Sequence, residues 1–172
     1  MSARNSERGL MERVLIALDC QPDSVKIIDY TARVLKGAKN CEFKILHILP
    51  TASPDKLRMD EVQRIEHMHR ARPDLAGYFW KEEDEKLMAN CFTEAKERLV
   101  LGGFRPESIS SFFAVESGDI PEIILTKAAE LGASTVVLGR RHPSLMKELL
   151  LGSVSTSVIK SAHGLAVWVI GI

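Results

Sequence analysis

The residues of this chain best suited to chemistry are Gly139, Arg140 and Arg141, followed by Gly152, Ser153 and Ser155. The chemistry they suit is anion binding. An arginine makes charge-assisted hydrogen bonds to phosphate oxygens, each contributing roughly 1.5–3 kcal/mol. Glycine lets a ligand approach bare backbone, and a serine hydroxyl can both meet an oxygen and cap a helix. Ser153 precedes a helical pattern that carries Val154, Val158, Ile159 and Ala162 on one face, so it is a candidate N-cap. The first N–H groups of a helix lack intrahelical partners and carry partial positive charge, which favours an anion there. A phosphate site on this connector is the economical reading. The plain alternative is solvated loop arginines and a serine that only caps, and capping is compatible with ligand binding.

Other reactive side chains assemble less. Asp19 ends an apolar run, where an acid is often a turn residue or helix cap. His47 reads as a strand histidine with a hydrogen-bonded ring. His67 and His69 flank Met68 without a cysteine or another histidine nearby, which argues against a metal site. Cys20 follows Asp19, and no histidine is placed to activate it as a nucleophile. There is no nucleophile elbow, no G-K-[ST] phosphate loop and no pair of metal-binding carboxylates, so no catalytic residue is assigned. A phosphate site without a base suits a sensor or switch more than a fast enzyme.

The elements that must position these residues alternate. Arg13–Leu18 reads as a first strand, followed by a helix capped at Asp23 or Ser24, with Ile28, Ala32 and Leu35 inward and Gly37 at its end. Glu42–Ile48 reads as the second strand, stopped by Pro50. Residues 51–80 carry a weak signal, with a short polar helix between Met59 and His69. A long helix starts near Lys81, with Leu87, Met88, Cys91, Phe92, Ala95 and Leu99 as its stripe and Glu82–Lys86 and Glu94–Arg98 as i,i+4 pairs. Ser111–Glu116 is a third strand. The helix after it has Pro121 in its first position, Ile120, Ile123, Ile124, Ala128 and Leu131 inward, and Gly132 as a stop. Val136–Leu138 is a buried strand ended by Gly139, and Ala166–Ile170 is a fifth. This rhythm specifies one doubly wound α/β domain over 13–172, a five-stranded parallel sheet with helices on both faces, after a flexible tail at 1–12.

Composition narrows the function. The 172 residues suffice for one domain that buries roughly 70% of its extended surface. The 23 basic and 23 acidic side chains balance, which gives no footprint for nucleic acid or an anionic membrane. No apolar run approaches the ~20 residues that span a bilayer. Cys20, Cys41 and Cys91 are odd in number and lack C-x-x-C spacing, which favours a reducing cytoplasm.

The spacing Gly139, two residues, His142, nine residues, Gly152-Ser153 closely resembles the G-x-x-G-x9-G-[ST] nucleotide loop of the universal stress protein family. The flanks V-V-L-G, K-E-L-L-L-G-S-V-S, V-I-K and A-V-W-V-I resemble it too. One departure stands out: the loop's second glycine is His142 here. The resemblance implies a Rossmann-like sheet of order 3-2-1-4-5 and an adenine nucleotide, ATP or AMP, between strands one and four. It places Ala17, Leu18 and Asp19 against the ligand, with Asp19 on its sugar or helping to hold magnesium. Ile48 would meet the adenine, while Leu138, Gly139, Arg141, His142, Gly152, Ser153, Val154 and Ser155 would form the phosphate loop. It also implies a cytoplasmic stress-response regulator acting on a protein partner. A dimeric interaction protein without nucleotide and a slow ATPase are the alternatives. A homodimer through Ala166–Ile170 is expected, because that strand would be an apolar sheet edge carrying Trp168.

Overall fold

Leu15 and Ile16 are neighbours in the chain, both fully buried, and they belong to hydrophobic clusters on opposite faces of one sheet. Their strand must therefore be central, covered on both sides. The computed structural model describes residues 11–38, 40–50, 64–67, 81–116, 118–140 and 153–171. Its elements are β1 (Glu12–Leu18), α1 (Lys26–Val34), β2 (Cys41–Leu49), α2 (Glu82–Leu101), β3 (Ile109–Val115), α3 (Ile120–Leu131), β4 (Thr135–Arg140), α4 (Ser153–Ser161) and β5 (Ala166–Gly171). The strands form one parallel sheet in the order β3-β2-β1-β4-β5, the expected arrangement.

Each face has its own core. Ile27, Ile28 and Ala32 of α1 and Cys91, Ala95 and Leu99 of α2 cover Val14, Ile16, Phe43 and Ile45. Ile123, Ile124 and Ala128 of α3 and Val158 of α4 cover Leu15, Leu46, Val136 and Leu138. The α1–α2 contact is close because Gly102, just after α2, has no side chain: a Cβ there would stand 2.8 Å from the Cβ of Ala32. Both expected i,i+4 pairs are present, Lys86–Glu82 at 2.7 Å and Arg98–Glu94 at 2.7 Å, and Arg98 also reaches Asp29 of α1. Gly132 ends α3 in the left-handed conformation, φ 61°.

Several local expectations change. β4 does not stop at Gly139 but runs through Arg140, because β5 continues the ladder with Ile170 opposite Gly139 and Gly171 opposite Arg140. β3 starts at Ile109, two positions before Ser111, where it meets Phe43 of β2. Neither Asp23 nor Ser24 caps α1. Val25 holds that position with no side-chain cap, and the Ser24 hydroxyl instead donates to the Gln21 carbonyl at 2.8 Å. Asp119 is the N-cap of α3, which puts Pro121 second in that helix. Ile159 is 45% exposed, since α4 buries Ser155 and Val158 instead. Leu87 is also 45% exposed and belongs to the rim of a cleft, not to the core.

Gly102→Ala should lower the unfolding free energy by about 1–3 kcal/mol, the usual cost of an inserted carbon in a tight contact. Urea titration measures it; an unchanged midpoint would mean that α1 and α2 can separate freely.

Candidate functional site

The parallel ladder between β1 and β4 ends with Ala17 opposite Leu138. Beyond that pair the chain leaves β1 toward β2 on one side and leaves β4 toward β5 on the other. In doubly wound sheets this divergence opens a crevice at the carboxyl edge. Here it is a cleft of about 460 Å³, within the roughly 300–1,000 Å³ of small-molecule sites. Ala17, Leu18, Asp19, Ile48, Leu138, Gly139, Ser153, Val154 and Ser155, which the family resemblance singled out, all line it. Arg141, His142 and Gly152 lie outside the described residues.

Charge is divided across the cleft. Asp19 follows β1, Glu116 follows β3 and Asp84 sits in the first turn of α2, while Arg140 and the amino end of α4 belong to the β4 side. Asp19 acts as a turn residue, its Oδ1 accepting the Gln21 N–H at 3.1 Å, and lines the cleft as well. The family pattern selects Arg141; among the described residues Arg140 is the arginine that lines the cleft. Its Nε is buried and has no hydrogen-bond partner among the described residues. A buried N–H left unpaired costs about 1–3 kcal/mol, so this group favours an incoming acceptor. Ser153 is the first helical residue of α4, one position further in than a cap, and Ser155 is buried beneath the cleft.

His47 has the hydrogen-bonded ring expected of it. Its Nδ1–H donates to the Leu18 carbonyl at 2.8 Å, which leaves Nε2 as the acceptor of the neutral ring. It also lines the cleft. Burial pushes its pKa below the ordinary 6.5, outweighing the opposite pull of the Leu18 carbonyl, Asp19 and Asp84. Cys20 is not a nucleophile. Contact with the Cys91 thiol, then burial, then Asp19 raise its pKa far above the thiol range. Its backbone has φ 55°, a conformation that costs a non-glycine residue roughly 1–2 kcal/mol. His67 is exposed, and His69 lies outside the described residues.

Residues 11–170 match the sequence model of the universal stress protein family. The chain belongs to that family. A relative, universal stress protein YxiE of Bacillus subtilis, is 29% identical over 151 residues, which cover 87% of this chain and 92% of the relative. Two solved structures share the fold. The universal stress protein of Archaeoglobus fulgidus in complex with dAMP has a TM-score of 0.61 at 17% identity, covering 94% of this chain and 99% of that one. A universal stress protein in complex with cAMP has a TM-score of 0.59 at 18% identity, covering 94% and 97%.

In this universal stress protein the sequence pattern found the β1, β4 and α4 walls of the cleft. It missed Gln21, Asp84, Leu87 and Glu116, and treated His47 as structural only. Glu116 offered one signal, an acid at the carboxyl end of a strand, like Asp19. Asp84 and Leu87 offered none, because only the packing of α2 on the sheet brings them to the cleft.

The depressed pKa of His47 gives stability a direction with pH. Below about 6.5 the unfolded chain takes up a proton that the folded imidazole resists, so stability falls as pH drops from that value toward the folded pKa. Urea titrations at pH 7.5 and 5.0 should show this loss in the native chain and a smaller one in His47→Gln. Equal losses in both would assign the slope to other groups.

Proposed function

We propose that this universal stress protein binds an adenine nucleotide, ATP or AMP, in the cleft between β1 and β4, and serves as a cytoplasmic stress-response regulator. The observation that carries this reading is the unpartnered Arg140 Nε beside Gly139 and the amino end of α4. A phosphate supplies the acceptor that this group lacks, and the α4 N–H groups favour the same charge. The apolar wall of Ile48, Leu138 and Val154 suits a base, and the carboxylates of Asp19, Asp84 and Glu116 suit the donor groups of sugar and base. The dAMP and cAMP complexes of proteins with this fold support the same ligand class. Magnesium would reach Asp19 only with phosphate oxygens as its main ligands, since among the described residues no three His, Cys, Asp or Glu cluster to hold a metal ion.

A nucleotide-free interaction protein is the second reading, favoured by His142 where the family loop has glycine. A histidine Cβ costs roughly 1–2 kcal/mol in the left-handed region that glycine enters freely. No helix among the described residues is long and apolar enough to cross a membrane.

Calorimetry with ATP, AMP and adenosine tests the first reading. Arg140→Ala should weaken ATP binding by about tenfold or more, ~1.4 kcal/mol, and leave adenosine almost unchanged. Arg141→Ala, the arginine that the family pattern selects, is the comparison. Ile48→Asp should weaken ATP and adenosine alike. No binding of any adenine nucleotide would favour the second reading, and equal losses for Arg140→Ala would remove it from the phosphate end.

We also propose a homodimer through β5. This strand is an edge of the sheet, and Val167, Trp168, Val169 and Ile170 are only partly buried within the chain. A second copy about a two-fold axis would cover them and pair the open backbone. Light scattering should give the dimer mass at micromolar concentration; a monomer there would remove this assembly.

A further inference from the structure

We propose that the cleft takes nucleotides that are anionic at one end only, and that Asp84 and Glu116 turn away a second phosphate carried on the sugar. Both roles rest on nucleotide binding in this cleft, and they add the class of nucleotide and its direction. Two helix starts meet the cleft and differ in charge. Asp84 belongs to the first turn of α2, and Ser153, Val154 and Ser155 to that of α4. The amino end of a helix carries roughly half a positive charge on its unpaired N–H groups. In α4 nothing offsets it: the first turn holds no acid, and Arg140 lines the same cleft with a buried Nε that lacks a partner among the described residues. In α2 it is outweighed, because Glu82, Glu83, Asp84 and Glu85 fill the first turn.

Of those four acids Asp84 lines the cleft, and it is half-buried there. Glu116 lines it as well, half-buried, and is held at the carboxyl edge by its backbone N–H, which donates to the Leu49 carbonyl at 2.9 Å. Neither carboxylate forms an ion pair among the described residues. An uncompensated charge in a half-buried cleft is screened by less water than one on an open surface, so it repels a like charge more strongly. The neighbouring groups have the same preference. His47 donates through Nδ1 to the Leu18 carbonyl at 2.8 Å, which leaves Nε2 an acceptor in the neutral ring. Leu87, three residues after Asp84 and 45% exposed on the rim, adds an apolar edge. The hydroxyl and amino groups of a nucleoside are donors and suit this wall. A phosphate on a sugar hydroxyl brings only acceptors and negative charge, and does not. The ligand therefore lies with its phosphate at α4 and its sugar and base toward Asp84 and Glu116.

Calorimetry on the whole chain tests this with AMP and adenosine 3′,5′-bisphosphate, which differ only by the second phosphate. The native chain should bind AMP at least about tenfold more tightly. Asp84→Asn and Glu116→Gln together should strengthen bisphosphate binding and bring the ratio down severalfold, with AMP little changed. Glu83, an exposed acid of the same helical turn, does not line the cleft, so Glu83→Gln should leave the ratio as it is. In the native protein, salt raised to about 1 M, where the screening length is about 3 Å, should narrow the ratio as well. That measurement decides if the double variant fails to fold. Three outcomes overturn the proposal and leave nucleotide binding standing: bisphosphate bound by the native chain as tightly as AMP, a ratio unmoved by the double substitution or by salt, or a ratio that Glu83→Gln lowers equally. A native chain that binds neither ligand overturns nucleotide binding itself, and this proposal with it.

Discussion

The two parallel ladders of β1 are the constraint on which the rest of the molecule depends. β1 hydrogen-bonds to β2 along its whole length and to β4 only from Val14 to Ala17. Parallel pairing forces each connection to cross a face of the sheet, and the right-handed sense of those crossings sends the helices on the two sides of β1 to opposite faces. The chain therefore parts at the carboxyl ends of β1 and β4. The cleft follows from strand order before any particular side chain is considered.

The two ends of the sheet are built differently. At the amino end the charges satisfy one another: Arg13 bonds Glu42 at 2.9 Å and the Leu131 carbonyl at 3.1 Å, and Lys44 completes the group with Glu42 at 2.6 Å. At the carboxyl end, polar groups are buried with fewer partners. Among the described residues Arg140 Nε has none, burial favours the neutral form of His47, and the Cys20 and Cys91 thiols are buried. Buried polar groups cost stability unless they are paired. They concentrate at one end, where the backbone also turns through the left-handed region at Cys20, and this is the end that the proposed function uses.

Much of the fold was legible because its local signals agreed. β1, β2 and β5 fall within one residue of the apolar runs that announced them, and the glycine stop after α3 stands where the pattern placed it. Expectations changed where a neighbour in space outweighed a neighbour in sequence. Gly139 looks like a stop until β5 supplies its hydrogen-bond partner. Ile159 and Leu87 look like core until the sheet selects which arc of each helix it covers. An apolar period of 3.6 defines a stripe about a third of the circumference wide, so residues on its border are settled only by docking.

The sequence by itself determined the class of fold and, through its resemblance, the family, because glycine, serine and apolar runs act on their own backbone and their immediate neighbours. The resemblance pointed to Ala17–Asp19, Leu138–Gly139 and Ser153–Ser155, and these line the cleft. Only the tertiary structure decided that Asp84 and Glu116 line the same cleft, that the Arg140 Nε is buried there without a partner among the described residues, and that Cys20 and Cys91 join one hydrophobic cluster from distant parts of the chain. Those contacts join residues on different elements, and their separation in space is set by how helices pack on a twisted sheet. No local pattern of residue types encodes that distance, so it became readable only with the fold.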